Sequence, residues 1–227
     1  MGAFIDIKSA DGFVFPAWEA RPAGPVKGAV VVLQEIFGVN AHIKAVADGY
    51  AEQGYHVLAP ATFHRVQSGV DLRYTQDDMG AGFALKTAVE ALPEPGVLQD
   101  IQACIERLAD SGKVGVVGYC WGGLLTWRSA CLLKGVSAAA PYYGGGMTSP
   151  AEAARSPHCP VLAHFGDQDH WIPMDTVDSF RQAQAGVEVQ VYNANHGFNC
   201  DQRASYNEAA AQLARERTLA FFAKHLG

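Results

Sequence analysis

The apolar run Val114-Gly115-Val116-Val117 passes directly into Gly118-Tyr119-Cys120-Trp121-Gly122-Gly123. This reads as a buried strand that turns sharply into a helix, with a cysteine at the apex. It is the G-x-S-x-G nucleophile elbow with cysteine in place of serine. Glycines at 118 and 122 leave room for a strained turn and for close packing of strand on helix. The helix N-terminus aims amide donors and a partial positive charge at the side chain of Cys120, which favours thiolate over thiol. Read alone, the same string also fits a plain tight turn with Cys120 as a small packing residue.

The rest of the chain alternates strands and helices around that unit. A hairpin is predicted from residues 4–8 and 13–18, turning at Asp11-Gly12. Short β-branched runs at 29–33, 55–59, 114–117, 136–140, 160–165 and 187–192 read as strands. Helices are expected at about 41–53, 81–91, 97–110, 121–133, 174–185 and 203–225, with 60–80 as a long polar loop. Such alternation yields a mostly parallel sheet with helices on both faces, an α/β fold. No repeat or linker divides the sequence, so residues 1–227 are expected to form one domain.

Composition narrows the function classes. The formal net charge is −6 and no Lys/Arg run offers a nucleic-acid groove, so an anionic substrate would need a local arginine cluster. No apolar stretch is long enough to span a bilayer and no signal-peptide pattern opens the chain. Five cysteines (104, 120, 131, 159 and 200) are an odd number in a chain too large to need disulfide staples. They are read as reduced thiols of a cytoplasmic protein, expected to be a monomer with neither membrane nor nucleic-acid partners.

A cysteine nucleophile needs a base, and the base an orienting group. In elbow-bearing folds the order is nucleophile, acid, histidine, the last two on loops after later strands. The strand at 160–165 is followed by Gly166-Asp167-Gln168-Asp169-His170, and the strand at 187–192 by Asn193-Ala194-Asn195-His196-Gly197. Both loops lie at carboxyl ends of strands, where parallel sheets place ligand sites. His196 is the candidate base. Asp167 and Asp169 compete as the acid on spacing alone, and Asp175 reads as a helix cap. His164 and His170 with the two aspartates match no metal-ligand spacing, so neither metal nor cofactor is expected.

Upstream, Gln34-Glu35-Ile36-Phe37-Gly38 ends the strand at 29–33, and a polar pair continuing so apolar a strand is unlike ordinary core. In this architecture that loop supplies one oxyanion-hole amide and the residue after the nucleophile the other, which nominates the amides of Ile36 and Trp121. Glu35 otherwise reads as a carboxylate at a strand end, solvated or paired with a nearby arginine.

With these residues placed, the chain resembles the dienelactone hydrolase family of α/β-hydrolases. The matching strings are Gln34-Glu35-Ile36-Phe37-Gly38-Val39-Asn40, Gly112-Lys113-Val114-Gly115, Gly118-Tyr119-Cys120-Trp121-Gly122-Gly123, Tyr142-Tyr143-Gly144, Asp167-Gln168-Asp169-His170, His196-Gly197-Phe198 and Glu216-Arg217-Thr218, in the family's order over nearly the whole chain. The resemblance implies Cys120 as nucleophile, His196 as base and Asp169, rather than Asp167, as its orienter. It also implies a role for Glu35 in governing ionisation of the cysteine. Well-studied members carry an arginine four residues after the catalytic histidine to grip a substrate carboxylate; here that position is Cys200. Arg65, Arg73 and Arg203 are the candidate substitutes. The expected activity is cleavage of a small lactone or ester without a cofactor. Alternatives are a carboxylesterase or thioesterase for another small acyl substrate, and a non-enzymatic thiol sensor.

Overall fold

The computed structural model describes residues 2–227. The chain opens with β1 (Ala3–Lys8) and β2 (Val14–Ala20), an antiparallel hairpin with Ala3 opposite Glu19. Phe4 and Trp18 meet edge to face across it, with ring centroids 5.3 Å apart. Six further strands follow: β3 (Gly28–Leu33), β4 (Tyr55–Pro60), β5 (Val114–Tyr119), β6 (Val136–Tyr142), β7 (Leu162–Gly166) and β8 (Glu188–Tyr192). All eight form one sheet in the order β1-β2-β4-β3-β5-β6-β7-β8. β2 joins β4 antiparallel and every pairing from β4 to β8 is parallel. β3, β4 and β5 are buried along their whole length, which is why each reads as an unbroken apolar run rather than an alternating one.

Helices cover both faces. On one side lie α1 (Ala41–Glu52) and, much later in the chain, a C-terminal helix at Glu208–Leu226. Tyr50 of α1 meets Phe222 of that helix at 6.1 Å. The first turn of α1 is fixed by Asn40, whose side chain accepts from the Ile43 amide at 3.2 Å. α2 (Gln76–Glu90) leads into α3 (Leu98–Leu108), which packs beside α4 (Trp121–Leu132) on the other face. A short α5 (Pro150–Ala153) precedes α6 (Met174–Ala183), and the C-terminal helix is α7. Trp127 of α4 abuts Phe180 of α6 at 5.2 Å. α4 is buried nearly all round, as its apolar sequence requires.

Two helix starts differ from the sequence expectation. α2 begins at Gln76, not about 81, because Thr75 caps it by accepting from the Asp78 amide, and Asp77 and Asp78 complement the helix dipole. Gly80 and Gly82 disguise this helix in the sequence. α7 begins at Glu208, not about 203, where Asn207 accepts from the Ala210 amide. Residues 203–207 are therefore loop, and this frees Arg203 to turn inward.

Candidate active site

The centre of the sheet aligns the first two candidates. β3 and β5 are neighbours, with Leu33 paired to Gly118. Glu35 and Cys120 each lie two residues beyond that pair, so hydrogen-bond register alone brings them to the same edge. Cys120 has φ +55° and ψ −118°, the strained apex predicted for the elbow. Its amide donates to the Tyr142 carbonyl at 3.1 Å, locking the turn to β6. The turn requires a glycine at 122: a Cβ there would lie 2.4 Å from the carbonyl oxygens of both Leu33 and Gln34. Close approach of α4 to the β3 end is thus built into the elbow.

β7 and β8 supply the next pair. Gly166 faces Tyr192 in register, and the two loops beyond stay zipped as the Asp167 and Gln168 amides donate to the carbonyls of Tyr192 and Ala194. This brings His196 Nδ1 to 2.7 Å from Asp169 Oδ2. The other carboxylate oxygen of Asp169 accepts from the Trp171 amide at 2.8 Å, which fixes the plane of the group. Asp169 is buried and Asp167 exposed, so geometry distinguishes the two acids that spacing left open. Burial alone would push the His196 imidazole down, but the Cys120 sulfur and the Asp169 carboxylate together raise it to about 10.

A cavity of about 250 Å³ opens above these groups. Cys120, His196, Ile36 and Trp121 line it, and the amides of Ile36 and Trp121 have no acceptor among the described residues. Trp121 is held by stacking on Phe63 at 5.1 Å and by donating from its indole to Glu90 at 3.2 Å. Met79, Phe83 and Trp171 give the mouth an apolar wall.

Of the three candidate arginines, only Arg203 lines the cavity. Its Nη1 donates to Glu35 Oε1 at 3.1 Å, and the two side chains are 15% and 1% exposed. Gly197 makes this approach possible: it has φ +79°, and a Cβ there would sit 2.4 Å from the same Nη1. Arg65 is committed elsewhere, donating to Asp100 at 2.7 Å and Asp11 at 2.8 Å with its guanidinium over Phe13. Arg73 is exposed and outside the cavity. These two expectations are corrected by the structure: Arg65 is consumed in tying the hairpin to α3, and Arg73 points no group into the site.

His164 is a buried histidine whose two nitrogens meet the hydroxyls of Tyr192 and Thr218 at 2.8 and 2.9 Å; burial holds it neutral, pushed down to about 3. His170 is exposed. Neither belongs to a metal cluster among the described residues. Tyr143 stands out in the sequence only as part of the string Tyr142-Tyr143-Gly144, with no role attached. It has φ +35°, is fully buried, packs against His196 at 5.2 Å, and its hydroxyl has no partner among the described residues. A bulky residue after a strand carries no sequence signal for a left-handed backbone.

Sheet order, parallel pairing, helices on both faces and the elbow after β5 together define the α/β-hydrolase fold. Residues 15–226 match the dienelactone hydrolase family. A carboxymethylenebutenolidase of Pseudomonas putida is 35% identical over 228 residues, covering 96% of this chain and 95% of that protein. A provisionally named carboxymethylenebutenolidase of Synechocystis is 34% identical over 215 residues, covering 87% and 86%. The crystal structure of a provisionally named dienelactone hydrolase from Klebsiella pneumoniae superposes with a TM-score of 0.84 at 32% identity, covering 99% of each chain. The chain belongs to the dienelactone hydrolase family. It is accordingly a hydrolase of the carboxylic-ester class.

Proposed function

We propose that this enzyme cleaves small lactones or esters through Cys120, His196 and Asp169. The observation that carries the reading is the 2.7 Å contact of His196 with the buried Asp169, on the wall of the cavity that Cys120 also lines. The Cys120 thiolate attacks the substrate carbonyl carbon. The carbonyl oxygen becomes an oxyanion held by the amides of Ile36 and Trp121. As the carbon–oxygen bond breaks, the His196 imidazolium gives its proton to the departing alkoxide, which in a lactone stays tethered to the acyl chain. Neutral His196 then takes a proton from water as that water attacks the thioester. Collapse of this second intermediate returns the thiolate and the imidazolium. Asp169 orients the ring throughout and stabilises its charged form.

Glu35 sits on Arg203 in the resting site. A substrate carboxylate entering the cavity would compete for the same guanidinium and loosen its hold on Glu35. Arg203 thus takes the role that Cys200 cannot, and the favoured substrates are small lactones or esters with a carboxylate near the scissile bond. The five free cysteines fit a reducing compartment, the cytoplasm. No described helix is long and apolar enough to cross a membrane. We read the active unit as a single-domain monomer.

The test pairs labelling with turnover. Iodoacetamide should modify Cys120 well before the other four cysteines, and alkylation should abolish hydrolysis of an aryl ester and of a carboxylate-bearing lactone alike. Cys120→Ala should lose on the order of 10³-fold or more in rate. Activity surviving full modification of Cys120 would refute the assignment.

A further inference from the structure

A second cluster of reactive side chains lies outside the catalytic set. His42, in the first turn of α1, and Cys200 and Asp201, in the loop between β8 and α7, bring one potential ligand atom each to within 4.8 Å of one another. His42 and Cys200 are buried and Asp201 is exposed. His42 Nδ1 meets Asp201 Oδ1 at 3.2 Å, while its Nε2 is buried with no hydrogen-bond partner among the described residues. Because Asp201 sits on the Nδ1 edge, Nδ1 is the nitrogen that could share an ion with it, beside the Cys200 sulfur.

We propose that His42, Cys200 and Asp201 form a binding site for a divalent cation of the zinc type. The donor set decides the class. One imidazole nitrogen, one sulfur and one carboxylate oxygen suit a borderline-soft ion such as Zn²⁺ or Co²⁺ and are a poor match for Mg²⁺ or Ca²⁺, which select oxygen. Metal–ligand bonds of roughly 2.0–2.3 Å in a tetrahedron put ligand atoms about 3.3–3.8 Å apart. The cluster therefore needs to close by about 1 Å, which rotation of the exposed Asp201 side chain and a small shift of the thiol can supply. Three protein ligands leave a fourth position for water on the Asp201 side. Binding converts the Cys200 thiol to thiolate and releases one proton to solvent. Rigid parts hold the frame: the Cys200 amide donates to Gly197 O at 3.0 Å and its carbonyl accepts from the Arg203 amide at 3.1 Å. The site thus sits on the segment that carries His196 and Arg203, yet uses none of the groups assigned to hydrolysis.

The test titrates Co²⁺ into the Cys120→Ser protein, which removes the competing nucleophile thiol. The expected result is one equivalent bound, with a thiolate-to-cobalt charge-transfer band in the near ultraviolet and the visible bands of a tetrahedral site. The charge-transfer band should vanish in Cys120→Ser/Cys200→Ser. Asp201→Asn, an exposed change that leaves the core intact, should keep the band and weaken binding about tenfold or more, as should His42→Gln. Absence of the band in Cys120→Ser, its persistence after Cys200→Ser, or unchanged affinity in both Asp201→Asn and His42→Gln would each overturn the proposal. Should Cys200→Ser fail to fold by circular dichroism, the Asp201 and His42 affinities decide alone.

Discussion

Replacing Arg203 by methionine should expose how strongly the resting site depends on one ion pair. Glu35 is 1% exposed, its Oε1 is held by Arg203 at 3.1 Å, and its Oε2 has no hydrogen-bond partner among the described residues. Arg203→Met keeps the stem volume but leaves a buried carboxylate with no counter-charge. Breaking one side of a buried pair costs about 3–5 kcal/mol. Arg203 is 15% exposed and borders the cavity, so water can reach the gap and the low end, about 3 kcal/mol, is expected. For a chain of this length that is a fall in Tm of roughly 6–12 °C. Glu35→Gln/Arg203→Met removes both charges and should recover more than half of the loss. The assays are urea unfolding and thermal melts of wild type, Glu35→Gln, Arg203→Met and the double variant. A loss below about 1 kcal/mol, or a double variant as unstable as Arg203→Met, would refute the view that the pair is buried and coupled.

Three further outcomes are expected. Asp169→Asn should lower kcat on the order of 10⁴-fold, with a native circular dichroism spectrum, by leaving His196 in the wrong tautomer; Asp167→Asn should be mild, and the reverse ranking would disprove the assignment of the acid. Because His196 is raised to about 10, imidazolium is the prevailing form below that pH and is lost above it. The kcat/KM for a substrate with an alkoxide leaving group should then fall on an alkaline limb near pH 10, while a nitrophenyl ester, whose leaving group needs no proton, should show a flatter profile. Gly122→Ala should destabilise by about 1–3 kcal/mol or more and slow iodoacetamide labelling of Cys120, because the methyl must push α4 off the carbonyls of Leu33 and Gln34; full labelling speed in a folded variant would show that the elbow tolerates the shift.

Local chemistry made the central unit readable in advance. A β-branched run followed by glycine, cysteine and paired glycines has few ways to fold other than strand, strained turn and helix, and residues 114–132 do so. His196 is accessible because strand-end loops of a parallel sheet converge on one edge, whereas Asp169 is preferred to Asp167 only through the family resemblance. What stayed hidden depends on contacts between distant segments. Arg203 was one of three equivalent arginines until the loop at 203–207 folded it back over Gly197 onto a carboxylate 168 positions away. Arg65 looked like a site residue because it lies in a polar loop, whereas Asp11 and Asp100 claim it from opposite ends of the N-terminal region. Tyr143 and the trio of His42, Cys200 and Asp201 are likewise products of tertiary approach, with no period or spacing to announce them.

The shared level at which β3 and β5 end separates what this enzyme does from what it accepts. Glu35 and Cys120 reach the same edge of the sheet because Leu33 pairs with Gly118, a relation written in backbone hydrogen bonds of the sheet interior. The cavity wall is drawn from elsewhere: Met79 and Phe83 from α2, and Trp171 from the loop before α6. These surface pieces can lengthen, shorten or change side chain without altering the register that aligns the reacting atoms. Selection for new substrates, in nature or in a library, therefore has a place to work in which the cost of failure is a poorer fit and not a dismantled elbow.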